Sequence, residues 1–345
     1  MPKTPASVTP DEMSPTPLPS AGAVEAGGAA AGSLRRGTVL RLLNSSLVAV
    51  ALVVLVVFFA VSSGPFLTSD NIQTIFDAVA VIAVLSIGQQ FVIATAGIDL
   101  SQGAIVALTG VIGAQLMTHG IVAGIVVALA LGIGTGLLNG LLTAYTRVPP
   151  FIVTLGTLSI CGGGALLATN GVGIYSLPQS FLNFGTDSIG VFPYLIIVTI
   201  VLGVIGQVLL GRTRFGRSVF AIGSNHRAAL LSGLPVRRHT VWVYVISGFC
   251  GGVGGLLLTS YVASALPTAG TNYNLDSIAA VVIGGGSLFG GDGAVWTALL
   301  GALLMSVLTN GTELLGVSSY AQTLILGVVV IAAVYIDSFR KKAAV

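Results

Sequence analysis

Apolar positions along this chain do not alternate with polar ones on a short period; they come in long blocks, each near the length of a bilayer-crossing helix. The blocks predict ten spans, near residues 44–62, 72–96, 102–118, 121–146, 151–169, 190–210, 240–262, 275–289, 294–312 and 319–337. Two of them, 102–118 and 275–289, are short or interrupted by glycine. The predicted fold class is all-α: a polytopic membrane helix bundle of about ten transmembrane helices, with both termini cytosolic. Residues 1–36 carry no such block and are rich in Pro, Ala, Ser, Thr and Gly, which predicts a disordered cytosolic tail. A cleavable signal needs its apolar stretch close to the start. Here the first block begins near Leu47, so it reads as a retained helix.

Composition explains what surrounds the blocks. Of the 345 residues, 54% are hydrophobic and only 7% charged, against about 25% charged in soluble domains. So few charges do not cover a water-facing surface, and the solvent is lipid. The 14 basic residues fall ahead of the first block, at Arg147, between Arg212 and Arg238, and at Arg340 to Lys342. With the amino terminus inside, the outward connections 63–71, 119–120, 170–189, 263–274 and 313–318 hold no Lys or Arg, as the positive-inside rule requires. That placement accounts for the net charge of +3 without nucleic acid. Cys161 and Cys250 sit singly inside apolar blocks and read as small packing residues.

Several chemistries are excluded. The three histidines form no H-E-x-x-H pattern, and no G-x-S-x-G occurs. No lysine lies between Lys3 and Lys341, so a phosphate-binding loop ending in Gly-Lys-Ser/Thr is absent. Any ATP that drives this protein is bound by another polypeptide. Ion-coupled carriers hold ionisable groups near the membrane midplane, whereas the acidic residues here cluster near span ends. A secondary transporter or facilitative channel for small polar solutes remains the alternative reading.

The polar residues within the blocks are few. Asp99 in "GIDLSQGA" stands at the expected cytosolic edge between two spans. Two readings fit and do not exclude each other: Asp99 or Ser101 caps the helix that follows, or Asp99 serves a gate. Gln89, Gln90, Asn139 and Asn310 offer donors and acceptors without charge, suited to lining a polyol route; hydrogen bonding between helices is the plainer role for each singly. Asp77 and Asp276 read as snorkelling or capping residues. The clusters Gly162–Gly164, Gly251–Gly255 and Gly284–Gly286 predict hinges or close helix contacts, and Tyr175, Tyr261, Tyr273 and Tyr320 fall where an aromatic belt would lie.

"GRSVFAIGSNHRAALLSGLPVRR", residues 216–238, is the basic exception in an apolar chain. Ser224 or Asn225 can cap a helix over about 226–232 that Gly233 ends and Pro235 keeps from resuming. So short a helix needs a docking surface; its apolar members are Ala228, Ala229, Leu230 and Leu231. A connector lying on anionic headgroups is the alternative. Within it, "RAALLSG" resembles the coupling-loop signature of ABC importer permeases: two alanines, three residues, then glycine. Arg227 stands where that family often has glutamate. In order along the chain, "GIDLSQGA", "PPFIVTLGT", "GRSVFAIGSNHRAALLSG", "LDSIAAVVIGGGSLFGGDG" and "TNGTELLGVSS" are together similar to the ribose-type branch of sugar ABC permeases, over most of residues 70–337.

The resemblance implies that residues 37–345 form a transmembrane permease domain in the bacterial cytoplasmic (inner) membrane, with a coupling loop at about 211–238. It implies that Asn225, Arg227, Ala228, Ala229, Ser232 and Gly233 engage a cytosolic ABC ATPase subunit, which holds ATP and Mg, with no cofactor on this chain. The other implied partners are an external sugar-binding protein, a second permease copy, and a monosaccharide or related polyol as substrate. Gln89, Gln90, Asp99, Ser101, Asn139 and Asn310 are the candidate translocation path.

Overall fold

The computed structural model describes residues 48–190 and 192–342; the expected tail 1–36 and the first positions of the first block lie outside them. The fold is helical throughout, apart from a two-strand hairpin. In chain order the elements are α1 (Val48–Ser62), α2 (Ser69–Ala94), α3 (Gln102–Met117), α4 (Ile121–Tyr145), α5 (Pro150–Thr169) and α6 (Gln179–Thr186). Then follow β1 (Ser188–Ile189), β2 (Phe192–Pro193), α7 (Tyr194–Arg212), α8 (Arg214–Ser224), α9 (His226–Leu231), α10 (Val236–Tyr261), α11 (Tyr273–Ile283), α12 (Val295–Leu314) and α13 (Ser319–Lys342). Among the described residues, seven helices are long and apolar enough to cross a membrane.

All ten predicted blocks coincide with helices, but α3 and α11 differ in kind. At 11 residues, α11 reaches only about 16 Å, roughly half a hydrocarbon core. It stops at Ile283, not near 289, because the glycine run takes over: Gly285, with φ 95°, adopts a conformation that suits glycine.

Two long helices organise the bundle. α2 and α10 pack side by side; α7, α11 and α12 gather on α2, while α3 and α4 pack on α10 and α5 lies outside α3. α2 is buried along almost its whole apolar stretch, whereas α4, α5 and α7 turn rows of Leu, Ile and Val outward. Such surfaces fit lipid. The α4–α10 seam is glycine on both sides: a Cβ at Gly136 would collide with Tyr244 O, and one at Gly248 with Gly132 O. Small residues let the two backbones touch. Gly254 and Gly255 pack closely in the same way, but Gly162 and Gly163 face open space, so the expectation of close packing fails for that cluster. Cys161 and Cys250 are buried and free.

The segment expected as a plain connection, 170–189, is built. It holds α6, whose Phe181 is buried and whose carbonyl accepts from Ser260 Oγ at 2.7 Å. A backbone bridge between Ile174 and Ala265 ties it to the 262–272 segment. These elements cap one end of the bundle; α8, α9 and the described basic residues Arg147 and Arg212–Arg238 occupy the other, where Arg237 lies over the Tyr145 ring.

Candidate functional site

The connection from α2 to α3 does not leave the bundle. Ala96 takes φ 61°, and the Gly97 N–H donates back to Val92 O at 3.1 Å. The chain then runs inward, so that Gln102, opening α3, donates its Nε2 to Leu85 O at 3.1 Å. Leu85 lies roughly 14 Å back from the end of α2 at helical rise. α3 therefore starts in the middle of the bundle. The 262–272 segment reaches the same level from the opposite end: a Cβ on Gly103 would strike Gly270 O, and the reverse. Asp99, expected at an edge, is fully buried because it rides on this inward-turning segment.

Around Asp99 the bundle closes a polar network. Its Oδ1 accepts from Ser101 N (2.9 Å) and Ser101 Oγ (2.5 Å), and its Oδ2 from Ser247 Oγ at 2.7 Å. Ser101 Oγ in turn accepts from Asn139 Nδ2 (2.9 Å), and Asn139 Oδ1 accepts from Thr157 Oγ1. Ser247 Oγ accepts from Gln102 Nε2 at 2.9 Å, and Gln102 Oε1 accepts from Ser277 Oγ at 3.0 Å. The Gln89 amide, oriented by its partners, donates to Asp99 O at 3.2 Å and accepts from Asp99 N at 3.3 Å. Helices α2, α3, α4, α5, α10 and α11 each contribute a side chain.

The chemistry of Asp99 dictates the direction of these bonds. A carboxylate only accepts, so Ser101 and Ser247 must each spend their single proton on it and receive from an amide on the other side. A buried carboxyl without donors costs several kcal/mol; three neutral donors offset that here. The arrangement can hold six helices in one register and can be broken only by moving several bonds together. Asp99 does not cap α3 directly: its bond to Ser101 N lies just ahead of that helix.

On the α8–α9 side, a cavity of about 560 Å³ reaches up between Gly97, Thr143 and Tyr244. Tyr244 Oη and Thr143 Oγ1 are buried beside each other on this wall. Tyr244 stands about one helical turn before Ser247 on α10 and within electrostatic reach of Asp99, so it lies between this cavity and the polar network.

The remaining expected residues scatter. Gln90 is fully buried, its amide unpartnered among the described residues, where a Cβ on Gly286 or Gly293 would press against it. Asn310 sits far from Asp99 in a reciprocal amide pair with Asn71, at 2.9 and 3.1 Å. Asp77 neither snorkels nor caps: it is buried, and the α2 cap is Thr68, which accepts from Asn71 N. Tyr175 and Tyr320 are exposed, but Tyr261 and Tyr273 turn into a cavity described below.

The short basic helix forms as α9, with Asn225 Oδ1 accepting from Ala228 N at 2.9 Å and Gly233 at φ 76° after its end. Its faces divide differently from expectation. Ala229 is 5% exposed and packs on Ile222 and Val236 within the chain. Leu231, 83% exposed, and Leu230 carry the free apolar surface, with Arg227, Ala228 and Ser232 exposed beside them.

Residues 71–334 match a family described as branched-chain amino acid transport system / permease component. The chain belongs to this family. Among individual relatives, it is 43% identical to the ribose import permease protein RbsC of Bacillus subtilis, over 85% of this chain and 92% of that protein. It is 35% identical to the D-allose transport system permease protein AlsC of Escherichia coli K12, over 84% and 90% respectively. It is 34% identical to the L-arabinose ABC transporter permease protein AraH of Azospirillum brasilense, over 89% and 91%. No solved structure matches.

Within this permease, the members of the Asp99 network that sequence reasoning missed are Gln102, Thr157, Ser247 and Ser277. Gln102 had a signal, lying in the same short polar run as Asp99. Ser247 and Ser277 are lone hydroxyls in apolar blocks, and nothing local marks them as meeting.

Proposed function

We infer that this chain is the membrane-spanning permease subunit of an ATP-driven ABC importer that moves a monosaccharide or related polyol from an external binding protein into the cytosol. The observation that carries the reading is near full-length similarity to permeases named for ribose, D-allose and L-arabinose. The family description names amino acids, and a basic side chain within the bundle would favour the carboxylate of such a zwitterion. The described basic residues gather at one end of the bundle, and the polar groups within it are hydroxyls, amides and acids, which suit a neutral polyol.

The basic end faces the cytosol, and about ten helices cross or enter the inner membrane with both termini inside. Leu230, Leu231 and Arg227 on α9 meet a separate ATPase subunit, which binds ATP and Mg; this chain holds neither. A second copy of the permease completes the assembly, and an external sugar-binding protein docks at the α6 end. The Asp99 network is the closed barrier of an alternating-access cycle, and Gln89, Ser101 and Asn139 act by holding it.

Uptake of labelled sugar by cells carrying the whole system is the test. Inactivating the phosphate-binding lysine of the partner ATPase abolishes accumulation against a gradient. Undiminished accumulation would replace this reading with that of a secondary carrier.

A further inference from the structure

At the end of the bundle away from α8 and α9, a cavity of about 330 Å³ runs down between the first turns of α2, the start of α11 and the last turns of α12. That volume lies at the small end of the roughly 300–1,000 Å³ of sites that enclose small molecules. On α2 its wall extends from Thr74 to Ile82, about 12 Å at helical rise. It is a shaft into the bundle, not a surface dimple.

Its lining is acceptor-rich. Asp276, Ser306, Asn310 and Glu313 supply polar atoms, Tyr261 and Tyr273 supply rings, and none of the described lining residues is basic. Tyr261 lies within electrostatic reach of Asp77 and Glu313, and Tyr273 of Asp276, so rings and carboxyl groups face a common space. Two buried polar atoms have no hydrogen-bond partner among the described residues. Ser306 Oγ is on the cavity wall in a residue 1% exposed, and Asp77 Oδ1, in a residue 6% exposed, sits next to the lining residue Ala78. Leaving such an atom unpaired costs about 1–3 kcal/mol. A ligand that brings its own hydroxyl groups relieves that cost.

The composition selects the ligand. A metal ion needs several ligating side chains gathered on one point, and among the described residues no group of three His, Cys, Asp or Glu meets that condition. An anion or zwitterion finds no positive charge. A neutral polyol finds acceptors for its hydroxyls and flat rings for its C–H faces.

We propose that this cavity is a sugar-contact site inside a single permease subunit, in which Asp276 and Ser306 bind substrate hydroxyls during transfer. The proposal rests on the sugar-import reading. It also connects the ligand to the barrier: Ser277, next to Asp276 in the first turn of α11, holds Gln102 and through it the Asp99 network. A sugar that pulls on Asp276 pulls on the same helical turn that keeps the barrier shut.

The test uses the complete transporter in proteoliposomes, with its ATPase and saturating loaded binding protein. D-ribose, D-allose and L-arabinose are the probes, and the readout is sugar delivered per ATP hydrolysed. Ser306→Ala removes an oxygen that has no partner among the described residues, so folding loses no hydrogen bond by it. The ratio is expected to fall about threefold in Ser306→Ala and about tenfold in Asp276→Asn, as for loss of a neutral and a charge-assisted hydrogen bond. Thr309→Trp, which fills the cavity, is expected to abolish delivery, while Tyr320→Ala, outside it, keeps the wild-type ratio. An unchanged ratio in all three cavity variants would overturn the proposal. Wild-type vesicles that carry none of the three sugars would overturn the sugar reading, and the proposal with it.

Discussion

Asp99 and Gln90 carry polar side chains buried to the same degree, yet their surroundings differ completely. The Asp99 carboxyl accepts three hydrogen bonds from two serines, whereas the Gln90 amide faces backbone across from Gly286 and Gly293 without a partner among the described residues. The energetic consequence falls on the donors. Asp99→Ala strands the Ser101 N–H and the Ser101 and Ser247 hydroxyls, and each buried donor left unsatisfied costs about 1–3 kcal/mol. Asp99→Asn keeps the shape and one acceptor oxygen, at a cost of about 1–2 kcal/mol. Thermal unfolding midpoints of the detergent-solubilised protein should therefore rank wild type above Asp99→Asn, and Asp99→Asn well above Asp99→Ala. An Asp99→Ala protein as stable as wild type would mean that the network holds nothing together.

At the scale of elements, α9 shows how one short helix serves two surfaces. Ala229 is consumed by the chain itself, packed on Ile222 and Val236, while Leu231 projects from the opposite face. Ala229→Arg is thus expected to undo the docking of α9 and lower the yield of folded protein. Leu231→Arg should leave yield and thermal stability unchanged but abolish stimulation of the partner ATPase by the loaded binding protein. Full stimulation in Leu231→Arg would move the contact elsewhere. The cap, length and terminator of α9 were legible because Asn225, Gly233 and Pro235 act locally. Which side of the helix stays free was not, since that depends on Ile222 and Val236 arriving from flanking helices. The same division holds for the fold. Apolar blocks located every long helix, but block length alone did not reveal that α3 begins deep in the bundle and that α11 is cut short. The depth of α3 comes from Gly103 meeting Gly270 and Gln102 meeting Leu85, contacts between distant segments, whereas α11 ends at the local glycine run that begins at Gly284. α6 was missed because an eight-residue amphipathic helix leaves no long apolar run.

Across the whole molecule, α2 followed by α3 and α10 followed by α11 repeat one design: a long helix, an inward-turning segment, and a short helix starting mid-bundle. α3 meets the segment that leads into α11 where Gly103 touches Gly270, and the Asp99 network joins the two short helices through Gln102 and Ser277. One cavity opens on each side of that junction, about 560 Å³ at the basic end and about 330 Å³ at the other. In the proposed alternating-access cycle a shift of this junction closes one cavity and opens the other, since both share helices with it: α10 through Tyr244 and Ser247, and α11 through Asp276 and Ser277. The direction of transport then depends on which end faces out. In the proposed orientation the Lys- and Arg-rich connections stay on the cytosolic side, and the larger cavity then faces the cytosol. Tyr320, 87% exposed at the start of α13, and Ser232, exposed after α9, mark the two ends. Cys161 and Cys250 are buried and contribute little background. In sealed right-side-out vesicles, an impermeant maleimide should label Tyr320→Cys at once and Ser232→Cys only after the vesicles are opened. The reverse pattern would exchange the entrance and the exit, and the acceptor-rich cavity would then be where the solute leaves.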